Sequence, residues 1–416
     1  MIGTSAPTEV RIPYEQLLDL VTAVFAARGL PQDRARQASE ALCYGDLAGF
    51  GSHGTANLSR LYLPLLDDGR ADPAGSPVVL ADHGAALLVD ARRALGLWQA
   101  SEAMDLAIER AARFGVGLVS VRNGTHFGCA GYHARRAAEQ GMVGLVASNC
   151  GGQRIARPPG GRVTLLGTNP LSIAAPAGPH PPFVLDMSTT AVPTGRVRAA
   201  ARAGRTVPPG WLADEEGRPV TDPAAFDRGE AHLLWLGASS GGDHKGFGLG
   251  LMVEVLAALV SGSGAGPATE ALSGDGRPSG RDDDIGMLMV AIAPGLLRGP
   301  EAVIRDAEQL FGTVLACPPV DESAPVGYPG RPEAERARLH REHGVPVEPV
   351  VHHELAGLAA TLGLPFPADT SDPFPAETSD PFPADTSDLP RPSDTSDQPL
   401  PTDTSDLPFP ARAGQR

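Results

Sequence analysis

Residues 117–148 read GLVSVRNGTHFGCAGYHARRAAEQGMVGLVAS, and this stretch decides the fold class. It begins with the aliphatic run Gly117–Val121, which is typical of a buried strand. After a polar loop, Ala130–Gln140 has the pattern of a helix, and Gly141 lies where a C-cap glycine would end it. A second aliphatic run, Val143–Ser148, completes a strand–helix–strand unit. We therefore expect helices packed against a sheet.

The same alternation continues on both sides of this stretch. Apolar residues at helical spacing predict further helices, and short aliphatic runs predict further strands. The helices are Tyr14–Arg28, Pro31–Leu47, Leu97–Phe114 and Gly248–Val260, and the strands are Leu171–Ala175, Phe183–Leu185 and Ile285–Ile292. Thr361–Leu364 closes the folded part. The predicted fold class is α/β or α+β.

The composition excludes several classes of protein. The chain has 416 residues with 34 basic and 49 acidic side chains, which gives a net charge of −15. Nucleic-acid-binding surfaces need clustered positive charge, so we expect no nucleic-acid partner. Four cysteines without a CxxC pair predict neither a disulfide scaffold nor a structural zinc site. Since the histidines form no HExxH or HxH pair either, we expect no bound metal.

No apolar stretch of the sequence is long enough to span a membrane. The best candidate, Leu249–Val260, is too short and contains Glu254. The first residues, Met1–Arg11, lack the basic region and apolar run of a signal peptide. The sequence therefore predicts a soluble cytoplasmic protein without a membrane partner.

Residues 365–416 differ in composition from the rest of the chain. The triplet Thr-Ser-Asp recurs there at 370, 378, 386, 395 and 404, among many prolines and acidic residues. Such a segment has too little apolar surface to offset the entropy of ordering, and proline blocks helix formation. We expect a disordered C-terminal tail, with a specific docking motif as the alternative.

A glycine-rich stretch, 237–250, precedes the last apolar helix. It matches neither standard phosphate-binding spacing, GxGxxG after a strand or GxxxxGK[ST]. Backbone amides at a helix N-terminus can nevertheless hold an anion, with Lys245 as a point charge. A ligand loop and a plain flexible connection are both open interpretations at this point.

Two histidines stand out because glycines lie close to them. His53 lies in Gly-Phe-Gly-Ser-His-Gly-Thr, and His126 lies in Asn-Gly-Thr-His-Phe-Gly after a predicted strand. Glycines let the backbone approach a ligand, and histidine can act as a general acid near neutral pH. Taken alone, each histidine also fits a purely structural role. Asp186 follows the strand Phe183–Leu185, where a helix N-cap is the simpler interpretation.

Other polar groups have default surface interpretations. Asp282, Asp283 and Asp284 form a charge run that predicts a solvated loop. Four histidines near the end of the folded part are expected to face solvent: His340, His343, His352 and His353.

A set of motifs occurs in one order along the chain. They are Ser52-His53-Gly54, Asn123-Gly124-Thr125-His126-Phe127-Gly128, Gly131-Tyr132, Gly160-Gly161, Gly167-Thr168-Asn169-Pro170, Asp186-Met187-Ser188-Thr189, Trp211-Leu212-Ala213-Asp214, Lys245-Gly246-Phe247-Gly248-Leu249 and Tyr328-Pro329-Gly330. Together they resemble the malate/L-lactate dehydrogenase family of the non-Rossmann type, over 12–364. That family also includes ureidoglycolate, sulfolactate and 2,3-diketogulonate oxidoreductases, and reductases of cyclic imino acids such as Δ1-piperideine-2-carboxylate.

The resemblance implies an α/β, non-Rossmann NAD(P)-binding fold of the L-sulfolactate dehydrogenase-like type. It also implies a homodimer, a small-molecule substrate and NAD or NADP as cofactor, in agreement with the missing GxGxxG motif. The implied reaction moves a hydride between the nicotinamide and a small 2-oxo/2-hydroxy acid, a cyclic 2-imino acid or a related carbonyl.

The resemblance also assigns roles to individual residues. His53 matches the family's proton donor, and His126 matches a histidine assigned as an acid/base in some relatives. Asp186 matches an acidic residue that orients or charges the proton donor, so it is expected to raise the pKa of His53. Substrate contacts are expected from Ser52, Asn57, Arg60 and Thr168. Cofactor contacts are expected from Cys150, Asp186, Met187, Ser188, Lys245, Gly246, Gly330 and Arg331.

Three positions depart from the family pattern. The family usually reads Ser-His-Gly-x-x-Arg, and that arginine is Asn57 here, with Arg60 about one helical turn further on. An arginine grips a carboxylate with two hydrogen bonds, whereas a neutral amide suits an uncharged amide, ester or hydroxyl. Cys150 replaces a common serine. Arg331 replaces an acidic or polar residue and could hold a 2′-phosphate.

Two functions remain open from the sequence. The first is an NAD(P)H-dependent oxidoreductase with His53 as proton donor, whose substrate is either gripped by Arg60 or is not a simple 2-oxo acid. The second keeps the fold without the hydride, as a non-redox acid/base enzyme or a protein with altered cofactor binding. Only the loss of the family arginine supports the second.

Overall fold

The computed structural model describes residues 10–366. The predicted disordered tail therefore lies outside the described residues, apart from its first two positions. The helices are α1 Tyr14–Ala27, α2 Gln32–Leu47, α3 Leu63–Asp67, α4 Gly96–Phe114, α5 Ala130–Ala138, α6 Thr194–Arg202, α7 Ala224–Asp227, α8 Asp243–Glu254, α9 Pro294–Arg298, α10 Pro300–Leu315, α11 Arg331–His343 and α12 Pro349–Leu362. The strands are β1 Val10–Ile12, β2 Val78–Asp82, β3 Ala86–Asp90, β4 Val116–Gly124, β5 Val143–Ser148, β6 Leu171–Ala177, β7 His180–Met187, β8 Leu212–Ala213, β9 Pro219–Val220, β10 His232–Leu233, β11 Ile285–Ile292 and β12 Val345–Val347. Two π-helical turns, Leu58–Tyr62 and Val255–Leu259, adjoin α3 and α8.

A seven-stranded sheet forms the centre of this fold, in the order β2-β3-β4-β11-β5-β6-β7. Strands β3 and β4 are parallel, and the other neighbours are antiparallel. The predicted bounds of β5 and β11 are confirmed. However, β11 inserts between β4 and β5, so the two strands of the strand–helix–strand unit are not neighbours. Long-range insertion of this kind has no local sequence signal.

Helices α4 and α5 cover one face of the sheet. Alternate strand residues point to this face, as a period of two requires. Val119, Val121, Val146 and Met289 are all fully buried there. Burial of each such side chain contributes about 1.5–3 kcal/mol. The packing holds the loop between β4 and α5, which carries His126, against a rigid layer.

A helical layer beside the sheet carries the His53 loop. Helices α1 and α2 share one apolar core with the π-helical turn Leu58–Tyr62. Helix α11 approaches the end of α2, where His340 is buried and its Nδ1 donates to the carbonyls of Asp46 and Leu47 at 3.1 and 2.9 Å. The expectation that His340 faces solvent is wrong, because its ring packs against the end of α2 and donates to carbonyls there.

The acidic run before β11 lies in a largely exposed loop, as predicted, and it also binds neighbouring groups. Arg70 contacts both Asp282, at 2.8 Å, and Asp283, at 2.7 Å. The Asp284 carboxylate accepts the backbone N–H groups of Asn123 and Gly264, at 2.8 and 2.7 Å. The prediction of a solvated loop is confirmed for Asp283 and Asp284, which are exposed, and these carboxylates also tie the start of β11 to the loop beside His126.

Helix α8 begins earlier than the sequence predicted. Its first residue is Asp243, five positions before Gly248, so half of the glycine-rich stretch is helical. Gly246 allows this close packing, since a Cβ at this position would lie 2.5 Å from the backbone N of Leu236. The interpretation as a plain flexible connection is wrong for residues 243–250, which form the first turns of a packed helix with Lys245 on it.

None of the helices within 10–366 combines the length and the apolar character that a membrane crossing requires.

Candidate active site

The His53 loop folds tightly onto the last turns of α2. A Cβ on Gly45 would lie 2.6 Å from the carbonyl of His53, and a Cβ on Gly54 would collide with the Asp46 carboxylate. That carboxylate accepts the backbone N–H of Thr55 at 2.7 Å. Glycine is therefore required on both sides of this contact. Asp46 fixes the backbone on which His53 sits, and the sequence analysis did not identify it.

The environment of Asp46 disfavours its charge. Burial raises the pKa of this carboxyl to about 7, although the N–H of Thr55 acts in the opposite direction. The group is therefore close to half ionised at neutral pH. Its charge state acts directly on the loop that carries His53.

His53 and His126 come together, as expected for two residues of one site. Their rings are stacked with centroids 6.2 Å apart and an angle of 23° between the planes. His53 Nδ1 lies 2.8 Å from Ser52 Oγ, and its Nε2 has no hydrogen-bond partner within 10–366. Burial lowers the pKa of His53 to about 4, and the nearby His126 and Arg60 act in the same direction. The ring is therefore neutral at pH 7.

The expected effect of Asp186 on His53 is wrong in this structure. The pKa of His53 is lowered rather than raised, and Asp186 is absent from the groups that shift it. The Asp186 carboxylate instead accepts the backbone N–H of Gly131 at 2.7 Å. It thus lies at the N-terminus of α5, where the positive end of the helix favours an anion. Burial still raises the pKa of Asp186 to about 6.

Hydrogen bonds define the tautomer of His126. Its Nδ1 accepts the backbone N–H of Gly128 at 3.3 Å and lies 2.8 Å from the hydroxyl of Tyr62. Because a backbone N–H can only donate, Nδ1 is unprotonated and the proton resides on Nε2. Burial lowers the pKa of His126, which keeps the ring neutral. His126 therefore offers one N–H donor to a ligand.

A third histidine, His133, anchors the loop that carries His126. His133 is fully buried, and its Nε2 lies 2.9 Å from the carbonyl of Phe127, to which it donates. Its Nδ1 lies 3.1 Å from the hydroxyl of Ser101 on α4. This ring anchors the residue next to His126 to the helical layer. The only signal in the sequence for this role is that His133 follows His126 by seven residues and so falls on the helix after the loop.

Asn57 and Arg60 lie next to the His53 loop and contact each other. Asn57 is only 3% exposed. Its Nδ2 donates to the carbonyl of Ser52 at 2.8 Å, and its Oδ1 accepts from Arg60 Nη2. These contacts use one N–H and one lone pair of the Asn57 amide, which also lines the cavity beside Arg60, so the expected contact with the substrate stays a prediction. Arg60, together with Ser52, lines an open cavity of about 320 Å³.

A buried polar network positions the loops that carry Cys150 and Thr168. Glu254 on α8 accepts from the side-chain amides of Asn149 at 3.1 Å and Asn169 at 3.0 Å. Burial raises the pKa of Glu254, and these two amides oppose that shift. The network ties the end of β5 to the loop before β6. As a result, Cys150 Sγ lies 3.5 Å from Thr168 Oγ1.

The remaining residues expected to contact a cofactor lie on the edges of this framework. Asp186 and Met187 end strand β7, and Ser188 Oγ donates to the carbonyl of Thr190 at 3.2 Å. Gly330 precedes α11 beside β7, where Pro329 accepts the N–H of Val184 at 2.9 Å. Arg331 and Lys245 are both exposed, and neither hydrogen-bonds to His53 or His126. No group of three metal-ligating side chains occurs within the described part of the chain.

Comparison with known proteins identifies the family. The sequence profile described as malate/L-lactate dehydrogenase matches residues 12–356. The chain belongs to this family. It is therefore an oxidoreductase, and the names of its relatives support NAD or NADP as the cofactor of the reaction.

Two relatives and one solved structure illustrate the range of the malate/L-lactate dehydrogenase family. The Δ1-pyrroline-2-carboxylate/Δ1-piperideine-2-carboxylate reductase of Pseudomonas putida is 31% identical over 366 residues, which is 87% of this chain and 100% of that protein. The (2R)-3-sulfolactate dehydrogenase (NADP(+)) of Chromohalobacter salexigens is 32% identical over 329 residues, 79% of this chain and 91% of that protein. The crystal structure of malate dehydrogenase from Entamoeba histolytica matches with a TM-score of 0.79 at 26% identity, covering 86% of this chain and 100% of that one. The expected fold is thereby confirmed.

Proposed function

We propose that this member of the family transfers a hydride between NAD(P) and a small 2-oxo/2-hydroxy acid, a cyclic 2-imino acid or a related carbonyl. The observation that carries the proposal is the stacked pair His53–His126, in which one ring nitrogen of each has no partner among residues 10–366. With the His53 proton on Nδ1, where it donates to Ser52 Oγ, Nε2 of His53 is a proton acceptor and Nε2 of His126 is an N–H donor for a single reacting group.

The residues present fit a dinucleotide cofactor. Lys245 is the only lysine in the chain, although the sequence has 34 basic side chains, and it lies exposed in the first turn of α8. It forms no ion pair with another residue of 10–366. A compact ammonium at a helix N-terminus is suited to a phosphate. Asn169 Oδ1, beside Thr168, is a buried acceptor without a partner in the structure, which a ligand donor could satisfy.

The two histidines would divide the acid/base work. The bound nicotinamide supplies or accepts the hydride. His126 donates its Nε2–H to the oxygen or nitrogen of the reacting group and so stabilises negative charge that develops there. His53, neutral at pH 7, accepts the proton of a hydroxy acid during oxidation, and it must be protonated to return that proton during reduction. Ser52 orients the His53 ring through Nδ1.

We propose that Asp186 acts indirectly, by positioning other groups. By accepting the N–H of Gly131 it holds the start of α5 next to the loop of His126. Met187 and Ser188 follow Asp186 along the chain, Gly330 precedes α11 and Arg331 begins it, and all four are proposed as cofactor contacts. Cys150 and Thr168 are proposed to contact the cofactor and the substrate, respectively.

A turnover assay tests the proposal. Oxidation of NADH and of NADPH would be followed at pH 6 and 7.5 against a panel of 2-oxo acids and cyclic imines, with cofactor binding measured in parallel. We expect turnover with at least one compound class. Cofactor binding without any turnover across the panel would instead favour the non-redox alternative.

A homodimer and a cytoplasmic location are also proposed. The support for the dimer is an apolar surface on α8 and the π-helical turn after it. Leu251, Val255 and Leu259 recur every four residues there and are exposed, Leu259 by 75%, with Met252 and Val260 beside them. Contiguous exposed apolar residues of this kind mark protein interfaces.

A further inference from the structure

Tyr62 is a tyrosine of the core whose hydroxyl contacts one ring of the histidine pair. The hydroxyl lies 2.8 Å from His126 Nδ1, and the two rings meet edge to face with centroids 5.6 Å apart. The Tyr62 side chain is fully buried in the apolar core that α1 and α2 share. Because protein cores are close-packed, its ring is held in this position.

The direction of this hydrogen bond follows from a second contact of the same nitrogen. The backbone N–H of Gly128 donates to His126 Nδ1 at 3.3 Å, so Nδ1 carries no proton. The Tyr62 hydroxyl must therefore donate to it as well. Burial raises the pKa of Tyr62 well above its ordinary value, so the hydroxyl keeps its proton throughout the neutral pH range.

Two donors on one nitrogen oppose a second proton on the His126 ring. An imidazolium carries protons on both Nδ1 and Nε2. A proton on Nδ1 would set the Gly128 N–H against another N–H. It would also take away the acceptor of the Tyr62 hydroxyl, which has no other acceptor among residues 10–366. A buried hydroxyl without an acceptor is costly, so the neutral ring is favoured.

The charged groups around His126 act in both directions. Burial lowers the pKa of His126, Asp282 raises it, and Arg60 lowers it. The His53 ring faces His126 at 6.2 Å between centroids and is neutral at pH 7. Asp282 is the one among these groups that favours a protonated ring. The Tyr62 hydroxyl opposes it at hydrogen-bond distance.

The position of Tyr62 depends on the π-helical turn that it ends. The backbone N–H of Leu63 donates to the carbonyl of Leu58, five residues back, as a π-helix requires. Arg60 on the same turn lines the open cavity, whereas Leu58 and Tyr62 are fully buried. One short segment thus supplies both a cation to the cavity and a donor to His126.

We propose that Tyr62 is a positioning residue that keeps His126 a neutral Nε2–H donor throughout the reaction. His53 is then the ring of the pair that gains and loses a proton. His126 acts as a hydrogen-bond donor to developing negative charge and is itself neither an acid nor a base. This inference rests on the proposed function for the reaction itself.

Nitrogen-15 NMR of the histidine rings tests this inference without turnover, because the shift of a ring nitrogen differs between its protonated and unprotonated states. In the natural protein, with signals assigned by means of His126→Gln, His126 should keep an unprotonated Nδ1 from pH 5 to pH 8. Tyr62→Phe leaves only the longer Gly128 contact, so His126 should take up a proton within this range. Tyr44→Phe is the matched control, because Tyr44 is buried on α2 and its ring faces the Arg135 guanidinium instead. The same His126 signals in Tyr62→Phe and the natural protein would overturn the inference.

Kinetics give the second readout. His126→Gln keeps a neutral N–H donor that cannot take up a proton, so kcat should fall only about tenfold. His126→Ala removes the donor and should lower kcat by about 10²–10³. In Tyr62→Phe, the pH profile of kcat/KM should gain a second ionisation beside that of His53, while the cofactor Kd stays unchanged.

The outcomes separate this inference from the proposed reaction. Equal kcat values for His126→Gln and His126→Ala would overturn the role of His126 as a neutral donor. Absence of turnover with every compound, with the His126 tautomer still dependent on Tyr62, would instead overturn the proposed reaction and leave the positioning of His126 standing.

Discussion

The ring of His53 combines three influences that disfavour its imidazolium form: burial, the neighbouring His126 and the charge of Arg60. Their effect is a pKa of about 4, well below the ordinary value for histidine. An anionic substrate beside Arg60 would cancel one of the three. Without a bound acid, His53 is neutral and can accept a proton. A bound acid would raise the pKa of His53 and so favour the protonated ring that returns the proton.

Replacing His53 by Ala should lower kcat by about 10²–10⁴ while the Kd of the cofactor stays unchanged, since the ring handles a proton and not the dinucleotide. Steady-state kinetics and cofactor titration measure the two quantities, and His353→Ala serves as an exposed control. For the natural protein, kcat/KM of reduction should fall as pH rises from 5 to 8, because protonated His53 becomes rare. An unchanged kcat in His53→Ala would remove this residue from the mechanism.

Asp46 should make stability depend on pH. Its pKa in the folded chain, about 7, lies above the unfolded value of about 4, so the folded state binds the extra proton between these pH values. Its contribution to stability is present below about pH 4 and is lost as pH rises to about 7. Asp46→Asn should therefore gain stability relative to the natural protein over this range, by up to about 1.4 kcal/mol per pH unit.

Urea unfolding of both proteins at pH 5 and pH 7.5 measures this difference for Asp46. Asp306→Asn, an exposed carboxylate on α10, is the control. A difference in unfolding free energy that is the same at both pH values would show that Asp46 does not titrate in this range.

Lys245 should act on cofactor affinity alone. Lys245→Ala should raise the cofactor Kd about tenfold or more, because a charge-assisted contact to phosphate contributes about 1.5–3 kcal/mol. Lys245→Arg should restore part of the affinity, since it keeps the charge but not the compact shape. Fluorescence titration with NADH and NADPH measures both. If Lys245→Ala bound both cofactors normally, the first turn of α8 would not be the phosphate site.

The sequence predicted the two histidines because glycines surround both and a strand precedes one of them. Asp46, Tyr62 and His133 escaped prediction because their partners are distant in the chain or are backbone atoms. The contact between Asn57 and Arg60 was not predicted either, although both residues were named. Residue types and spacing indicate what a side chain can do, but its partner depends on the fold.

At the scale of elements, periodicity predicted helices and strands well wherever one face is apolar. Strands β5 and β11 have the expected bounds, and α1, α2 and α4 begin within one residue of the expected start. The start of α8 was missed because glycine has low helix propensity, and packing against Leu236 outweighs that preference. The neighbours of β11 in the sheet could not be predicted, since pairing between distant strands leaves no periodic signal.

The exposed apolar surface on α8 and the π-helical turn after it is the proposed dimer interface. Leu259→Asp should shift the proposed dimer toward monomer, because a charge would be buried without a partner in the interface. Sedimentation velocity measures the change. Leu310→Asp is the control, since Leu310 is also exposed but lies on α10. A Leu259→Asp protein that stays dimeric would place the interface elsewhere.

For the whole molecule, the body should be independent of the acidic C-terminal segment. Phe366 packs its ring against His352, with centroids 4.9 Å apart, so the cut belongs after Phe366 and not after Leu364. Removal of residues 367–416 should leave melting temperature and turnover unchanged, because their composition cannot build a core. Calorimetry and the turnover assay measure this. A loss of several degrees would show that the segment docks on the body.

The single lysine on α8 makes the surface chemistry of this protein unusual. Apart from the terminal amine, Lys245 is the only primary amine in the chain, and it is exposed. The cationic character of the remaining surface comes from guanidinium groups, which amine-directed acylating reagents leave untouched. Acylation would therefore fall on the terminal amine and on the proposed phosphate contact, and a bound dinucleotide would shield only the second. Coupling the protein to a solid support through Lys245 would orient the molecules by this helix and block the site at the same time.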